Sequence, residues 1–186
     1  PQYLFMRVAL GIHTNNIDAA IDTYFYMSNK FFIHASPTLF NAGSQVEQMS
    51  SCFLHHMEDS FDSIFEGIKD LANISKYGGG IGLNLSEIRS RGTIIRSTNG
   101  KSNGIIPLCV LLNSLSNYAN QSGRRNGSIA CYLPPWHPDV FDFLELRMNN
   151  GNEKNRARDL YLALWVDDLF MERVESDDYY SLFDPN

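Results

Sequence analysis

Four short apolar runs constrain this chain more than any other feature: those in "SSCFLHHM", "YGGGIGLNLSEI", "IACYL" and "ARDLYLALWV". Each has strand length and is bounded by polar or glycine-rich turns, and the segments between them carry helical spacing. Phe61, Ile64, Phe65, Ile68, Leu71 and Ile74 recur at helical intervals between Asp59 and about Tyr77, and residues 105–119 return to helix. Strands that alternate with helices predict an α/β architecture with a largely buried sheet.

The remaining segments fill in around that frame. Tyr3, Met6 and Leu10 space a helix over 2–12, and Asn16 and Asp18 can cap a second, with Ile17, Ala20, Ile21, Tyr24 and Met27 as its buried stripe. "FFIHAS" reads as a short strand or extended segment. "DVFDFLEL" reads as helix, and the last apolar run as a strand followed by a helix. The stripes Leu160/Leu162/Leu164 and Phe141/Leu144 are expected in the core. Residues 89–104, "RSRGTIIRSTNGKSNG", read as a long polar loop and "NQSGRRNGS" as a second. A loop of the first length inside a compact domain is usually functional or disordered.

Composition removes several function classes. With 44% hydrophobic and 19% charged residues the chain is globular, and its net charge of −6 argues against general nucleic-acid binding. No stretch approaches the roughly 18 apolar residues of a membrane span, and the start has no leader pattern. Three cysteines, Cys52, Cys109 and Cys131, make neither a disulfide framework nor a zinc motif, so a reducing, cytoplasmic setting is expected. Both ends look abrupt, which suggests a fragment of a longer protein.

Candidate chemistry collects at few positions. Cys52 follows Ser50 and Ser51 at the lip of an apolar run, and is either an inert core residue or a redox thiol with hydroxyl donors beside it. Gly78 to Gly82 are either a tight turn or a backbone cradle for an anion. Arg89, Arg91, Arg96 and Lys101 in the first loop, with Arg124 and Arg125 in the second, suit a polyphosphate or are solvated loop charge. Asp59 can cap the following helix or hold a ribose hydroxyl. His55 and His56 are neighbours on a strand and point to opposite faces, so no metal site is expected there or at His137.

Longer motifs carry a resemblance. "ASPTLFNAG", "QMSSCFL", "GGIGLNLSEIR", "TNGKSNGIIPL", "YLPPWHPDVFDFLELR" and "RARDLYLALWVDDLFMERV", in this order, resemble the large, catalytic subunit of class I ribonucleotide reductase. The resemblance implies part of that family's ten-stranded α/β barrel, with residues 1–186 as its N-terminal half. It implies reduction of ribonucleoside diphosphates to deoxyribonucleotides, and Cys52 as the family's first redox cysteine, oxidised with a cysteine from the second half of the barrel. By the same resemblance Ser36, Ser51, Gly79 and Gly80 hold the substrate diphosphate. Gln121 and Arg125, in a second specificity loop over 120–128, read its base. Asp59, Ser60, Phe61, Lys76, Arg89 and Arg96 bind a nucleoside triphosphate effector (a dNTP or ATP, with Mg) at a dimer interface. Residues 89–103 correspond to the first specificity loop.

The implied partners are a small radical-generating, metal-containing subunit, a second large subunit, and thioredoxin or glutaredoxin. Cys109 and Cys131 match none of the family's working cysteines and are expected to be core thiols. The radical-bearing N-C-x-E motif does not occur in this sequence, so the chain alone is expected to be inactive. Asn120 stands where many relatives carry Asp, which leaves the base-selection rules open. An inactive, reductase-derived nucleotide-binding scaffold is the alternative.

Overall fold

The computed structural model describes residues 1–119 and 127–185. Where the sequence suggests one barrel segment over 1–186, the chain forms two compact units, Pro1–Ser51 and Cys52–Asn186.

The first unit is helical: α1 (Gln2–Ile12), α2 (Ile17–Ser28) and α3 (Ser36–Asn41). Asn16 caps α2, its Oδ1 accepting from the Ala19 amide at 3.1 Å. Of the stripe expected on α2, Ala20 and Met27 are buried and Tyr24 packs against them, while Ile17 and Ile21 are not buried. Val8, Ala9, Ala20, Met27 and Ala42 form the core, while Tyr3 is 86% exposed and Met6, Leu10, Ile17 and Ile21 also face outward. Small residues explain this, because they let backbones approach closely. A Cβ on Gly11 would lie 2.1 Å from the Gly43 amide nitrogen. The Arg7 guanidinium donates to the carbonyls of Leu39 and Ala42, both at 2.5 Å, and so satisfies acceptors left open at the end of α3. "FFIHAS" forms no strand and runs as irregular chain into α3.

The second unit runs β1 (Cys52–His56), α4 (Phe61–Lys76), β2 (Gly80–Asn84), β3 (Arg91–Ile95), β4 (Gly100–Asn103), α5 (Ile105–Ala119), β5 (Ser128–Leu133), α6 (Val140–Leu144), β6 (Tyr161–Leu164) and α7 (Asp168–Ser176). Strands β1, β2, β5 and β6, in that order, make a four-stranded sheet in which every pair is parallel. This is the α/β architecture with a parallel sheet that the alternating pattern predicts.

One face of the sheet is covered. Ile81, Leu83, Ile129, Cys131 and Leu133 pack with Leu71 of α4 and with Ile105, Cys109 and Leu112 of α5. Leu162 and Leu164 join from β6, while Leu160 is fully buried. On α4 the expected stripe holds at Ile64, Ile68, Leu71 and Ile74 but not at its two phenylalanines, and on α6 the expected pair turns outward. Phe61 is 75% and Phe141 68% exposed, and Phe65 and Leu144 follow them outward. On α6 and the 3-10 turn after it, Val140, Phe143 and Leu146 point inward instead. Both stripes are helical, so the period alone leaves the facing side open.

Residues 89–104 form no loop. Strands β3 and β4 pair antiparallel as a separate hairpin, with Ile94 opposite Lys101 and Ile95 opposite Gly100. The β-branched run Thr93, Ile94, Ile95 favours extended backbone, and Asn99 turns the chain with a φ of +53°. No helix among the described residues is long and apolar enough to cross a membrane.

Cys109 and Cys131 are fully buried, whereas Cys52 is exposed. The hydrogen bond that Cys109 shares with Cys131, together with burial, pushes the Cys109 thiol well above the usual cysteine range. Both buried thiols should therefore resist iodoacetamide until denaturant is added, while Cys52 is labelled natively; equal labelling of all three by mass spectrometry would contradict this packing. Phe143→Ala should cost about 3–5 kcal/mol in urea unfolding. Phe141→Ala, which removes an exposed ring, should stay within about 0.5 kcal/mol of the parent.

Candidate active site

The uncovered face of the sheet holds the exposed thiol of Cys52. Side chains alternate across a strand, so Cys52, Leu54 and His56 share one face of β1, and Phe53 and His55 the other. Register places Gly80, Gly82 and Asn84 of β2 beside the first set, with Ser128, Ala130 and Tyr132 of β5 beyond. Leu54 is 94% exposed on this face. From Leu54 and Gly82 to Tyr132 and Trp165 the face forms an apolar-walled groove of about 540 Å³. Cys52 and Gly80 head that face at the amino ends of their strands. Most barrel and doubly wound enzymes work instead at the carboxyl ends.

The histidines separate as expected. His55 Nε2 lies 3.5 Å from Asp70, and His56 Nε2 lies 3.3 Å from Glu87. Among the described residues no three His, Cys, Asp or Glu side chains are grouped to hold a metal ion.

The residues matched to substrate binding divide between the units. Ser36 is the exposed first residue of α3, and Ser51 ends the first unit immediately before Cys52. Gly79 and Gly80 lead into β2 in the second unit. Gly79 has a packing constraint as well, since a Cβ there would lie 2.5 Å from Ile74 Cγ2. Gln121 and Arg125, with Asn120 and Arg124, lie outside the described residues.

The residues matched to effector binding are partly assembled. Asp59 accepts from Arg89 Nε at 2.5 Å and from the Arg89 amide at 3.3 Å. Its carboxylate is committed there, so Ser60, not Asp59, caps α4, accepting from the Ser63 amide at 3.1 Å. The exposed Phe61 ring packs 4.4 Å from Phe65. Arg96 is exposed in the turn between β3 and β4. Lys76 stands apart. It ends α4, and 16 helical residues span about 24 Å, so one copy of the chain does not bring Lys76 to Asp59.

Asp139 and Asp184 escaped the sequence reading, and His137 entered it only as a possible metal ligand. His137, Asp139 and Asp184 hold the base of the hairpin, through the Ile88 carbonyl and through the amides of Ser90, Arg91 and Ile105. Their partners are 34 to 94 positions away, so no local motif announces them.

Residues 50–186 match the family described as "Ribonucleotide reductase, barrel domain", and residues 1–46 match "Ribonucleotide reductase, all-alpha domain". Over its whole length the chain is 54% identical to the ribonucleoside-diphosphate reductase large subunit of Arabidopsis thaliana. It is 53% identical to the large chain of Schizosaccharomyces pombe and to the large subunit of Vaccinia virus. It spans 23% of the first two proteins and 24% of the third, so about a quarter of their length. The two matched regions meet close to Ser51, where the two compact units divide. An all-helical segment followed by parallel strands with their crossovers, matched end to end by these relatives, makes this chain a member of the large-subunit ribonucleotide reductase family.

Proposed function

We infer that the protein reduces ribonucleoside diphosphates to 2′-deoxyribonucleoside diphosphates, with Cys52 as one of its two reducing thiols. The observation that carries this reading is the position of Cys52. It is an exposed thiol at the head of β1, on the open face of a parallel sheet, within a chain at least 53% identical to ribonucleoside-diphosphate reductase large subunits.

The chemistry balances on two thiols. Loss of the 2′ hydroxyl as water takes two electrons and two protons, and Cys52 and a second thiol supply them as their S–H bonds are replaced by one S–S bond. A dithiol protein, thioredoxin or glutaredoxin, then reduces that disulfide by exchange. A radical from a metal-containing small subunit supplies the one-electron activation of the sugar. This chain's own part is to hold the substrate and present the thiol. Ser36, Ser51 and the backbone at Gly79 and Gly80 offer neutral donors suited to a diphosphate. Gln121 and Arg125 are the proposed readers of the base.

The effector site is assigned to Asp59, Ser60, Phe61, Arg89 and Arg96, for a nucleoside triphosphate with Mg. Lys76, at the far end of α4 from Asp59, is assigned to the same site on a second copy of the chain, at a homodimer interface. The binding of effector and substrate is then linked through the two specificity loops. The setting is cytoplasmic.

Cys52→Ser in the full-length protein, assayed with its radical-generating subunit and a dithiol reductant, should abolish multiple-turnover deoxynucleotide formation and leave effector affinity unchanged. Normal turnover in that variant would sink the assignment of Cys52.

A further inference from the structure

Three consecutive amides at the root of the β3–β4 hairpin are each held by a carboxylate from a different part of the chain. Asp59 Oδ1 accepts from the Arg89 amide at 3.3 Å, Asp184 Oδ2 from the Ser90 amide at 2.8 Å, and Asp139 from the Arg91 amide at 3.1 and 3.2 Å. Asp139 Oδ2 also accepts from the Ile105 amide at 3.1 Å, so one carboxylate ties the entry of the hairpin to its exit. Gly104 makes the approach possible, because its φ is +74° and a Cβ there would lie 2.2 Å from Asp139 Oδ2.

Asp139 and Asp184 are themselves fixed. The Asp139 amide donates to His137 Nδ1 at 3.1 Å, which leaves the proton on Nε2 to be donated to the Ile88 carbonyl at 2.8 Å. Asp184 is delivered by the segment after α7. Tyr180 donates to Asp167 at 2.6 Å, Phe183 stacks on Trp136 with ring centroids 4.5 Å apart, and the Phe183 amide donates to the Trp136 carbonyl at 2.9 Å. From there Asp184 Oδ2 also accepts from Ser90 Oγ at 2.5 Å and Thr93 Oγ1 at 2.7 Å.

We propose that Asp139 and Asp184 are positioning residues for effector recognition, setting the pose in which the hairpin presents Arg89 and Arg96 without touching effector or substrate. The proposal rests on the reading of Asp59, Arg89 and Arg96 as the effector site. Its logic is a division of labour. Asp59 holds both the backbone and the side chain of Arg89, so an effector that recruits either group disturbs that anchor. Asp139 and Asp184 keep the neighbouring amides in place while it does so.

The test uses the full-length protein with its radical-generating subunit and thymidine 5′-triphosphate as probe. Removing an acceptor that serves three donors, Asp184→Ala should weaken probe binding about tenfold and shrink the probe-driven change in base preference to match. Unstimulated turnover should stay at the parental value. Asp184→Asn, which keeps an acceptor oxygen, should recover part of the loss, and Thr93→Val should show a smaller loss in the same direction. Arg89→Ala separates the two readings. If it abolishes probe binding while Asp184→Ala and Thr93→Val bind like the parent, the positioning role is overturned and the effector site stands. If Arg89→Ala also binds like the parent, the effector reading falls and the proposal with it. Should Asp184→Ala not fold, Thr93→Val and Ser90→Ala decide by the same affinity and preference measurements.

Discussion

Parallel strands cannot be joined by tight turns, and the arrangement of the second unit depends on that constraint. Each of β1, β2 and β5 must be followed by a crossover before the next strand of the sheet can pair. Helices α4 and α5 lie in the first two crossovers and cover one face, drawing Ile81, Leu83, Ile129 and Leu133 toward them. Pleat alternation then dictates the other face. Once the apolar residues are committed, Cys52, Gly80 and Ser128 must line up on the far side.

The same crossover that joins β2 to β5 carries the β3–β4 hairpin as an insertion ahead of α5. It has no place in the main sheet and draws little on the hydrophobic core, since Ile94 is exposed. Charge-assisted hydrogen bonds from distant carboxylates take the place of apolar burial at its base. Trp136 belongs to both regions, lining the groove on the open face and stacking on Phe183 beside Asp184.

What could be read from the sequence was governed by distance along the chain. The four strands of the parallel sheet and the long helices α4 and α5 are announced by period and by turn residues, and they form where expected; the β3–β4 hairpin was not. The facing side of a helix is set by its neighbours. Ile17 and Ile21 on α2, and Phe141 and Leu144 on α6, were therefore expected inward although smaller or better-sited residues took those positions. The choice of Asp59 as cap failed for a local reason. Ser60 competes for the same amides, and Asp59 is drawn to Arg89, thirty positions on. Cys52 was legible as a thiol at a strand head, but nothing local distinguished a buried thiol from an exposed one. Quoted motifs supplied the family; the clamp on the hairpin, made by residues up to 94 positions apart, had no motif to carry it.

The parity of the sheet also acts as a chemical partition. Cys131 and Cys109 lie on the helix side, while Cys52 lies on the open side of a neighbouring ladder. A disulfide needs Cβ atoms about 4 Å apart and pointing toward each other, and no pair on opposite faces of a pleated sheet meets that demand. Oxidising equivalents delivered to the open face are thus insulated from the two interior thiols by one layer of backbone. The fold itself favours chemoselectivity: a sulfur that bonded to Cys52 would have to arrive from the open side.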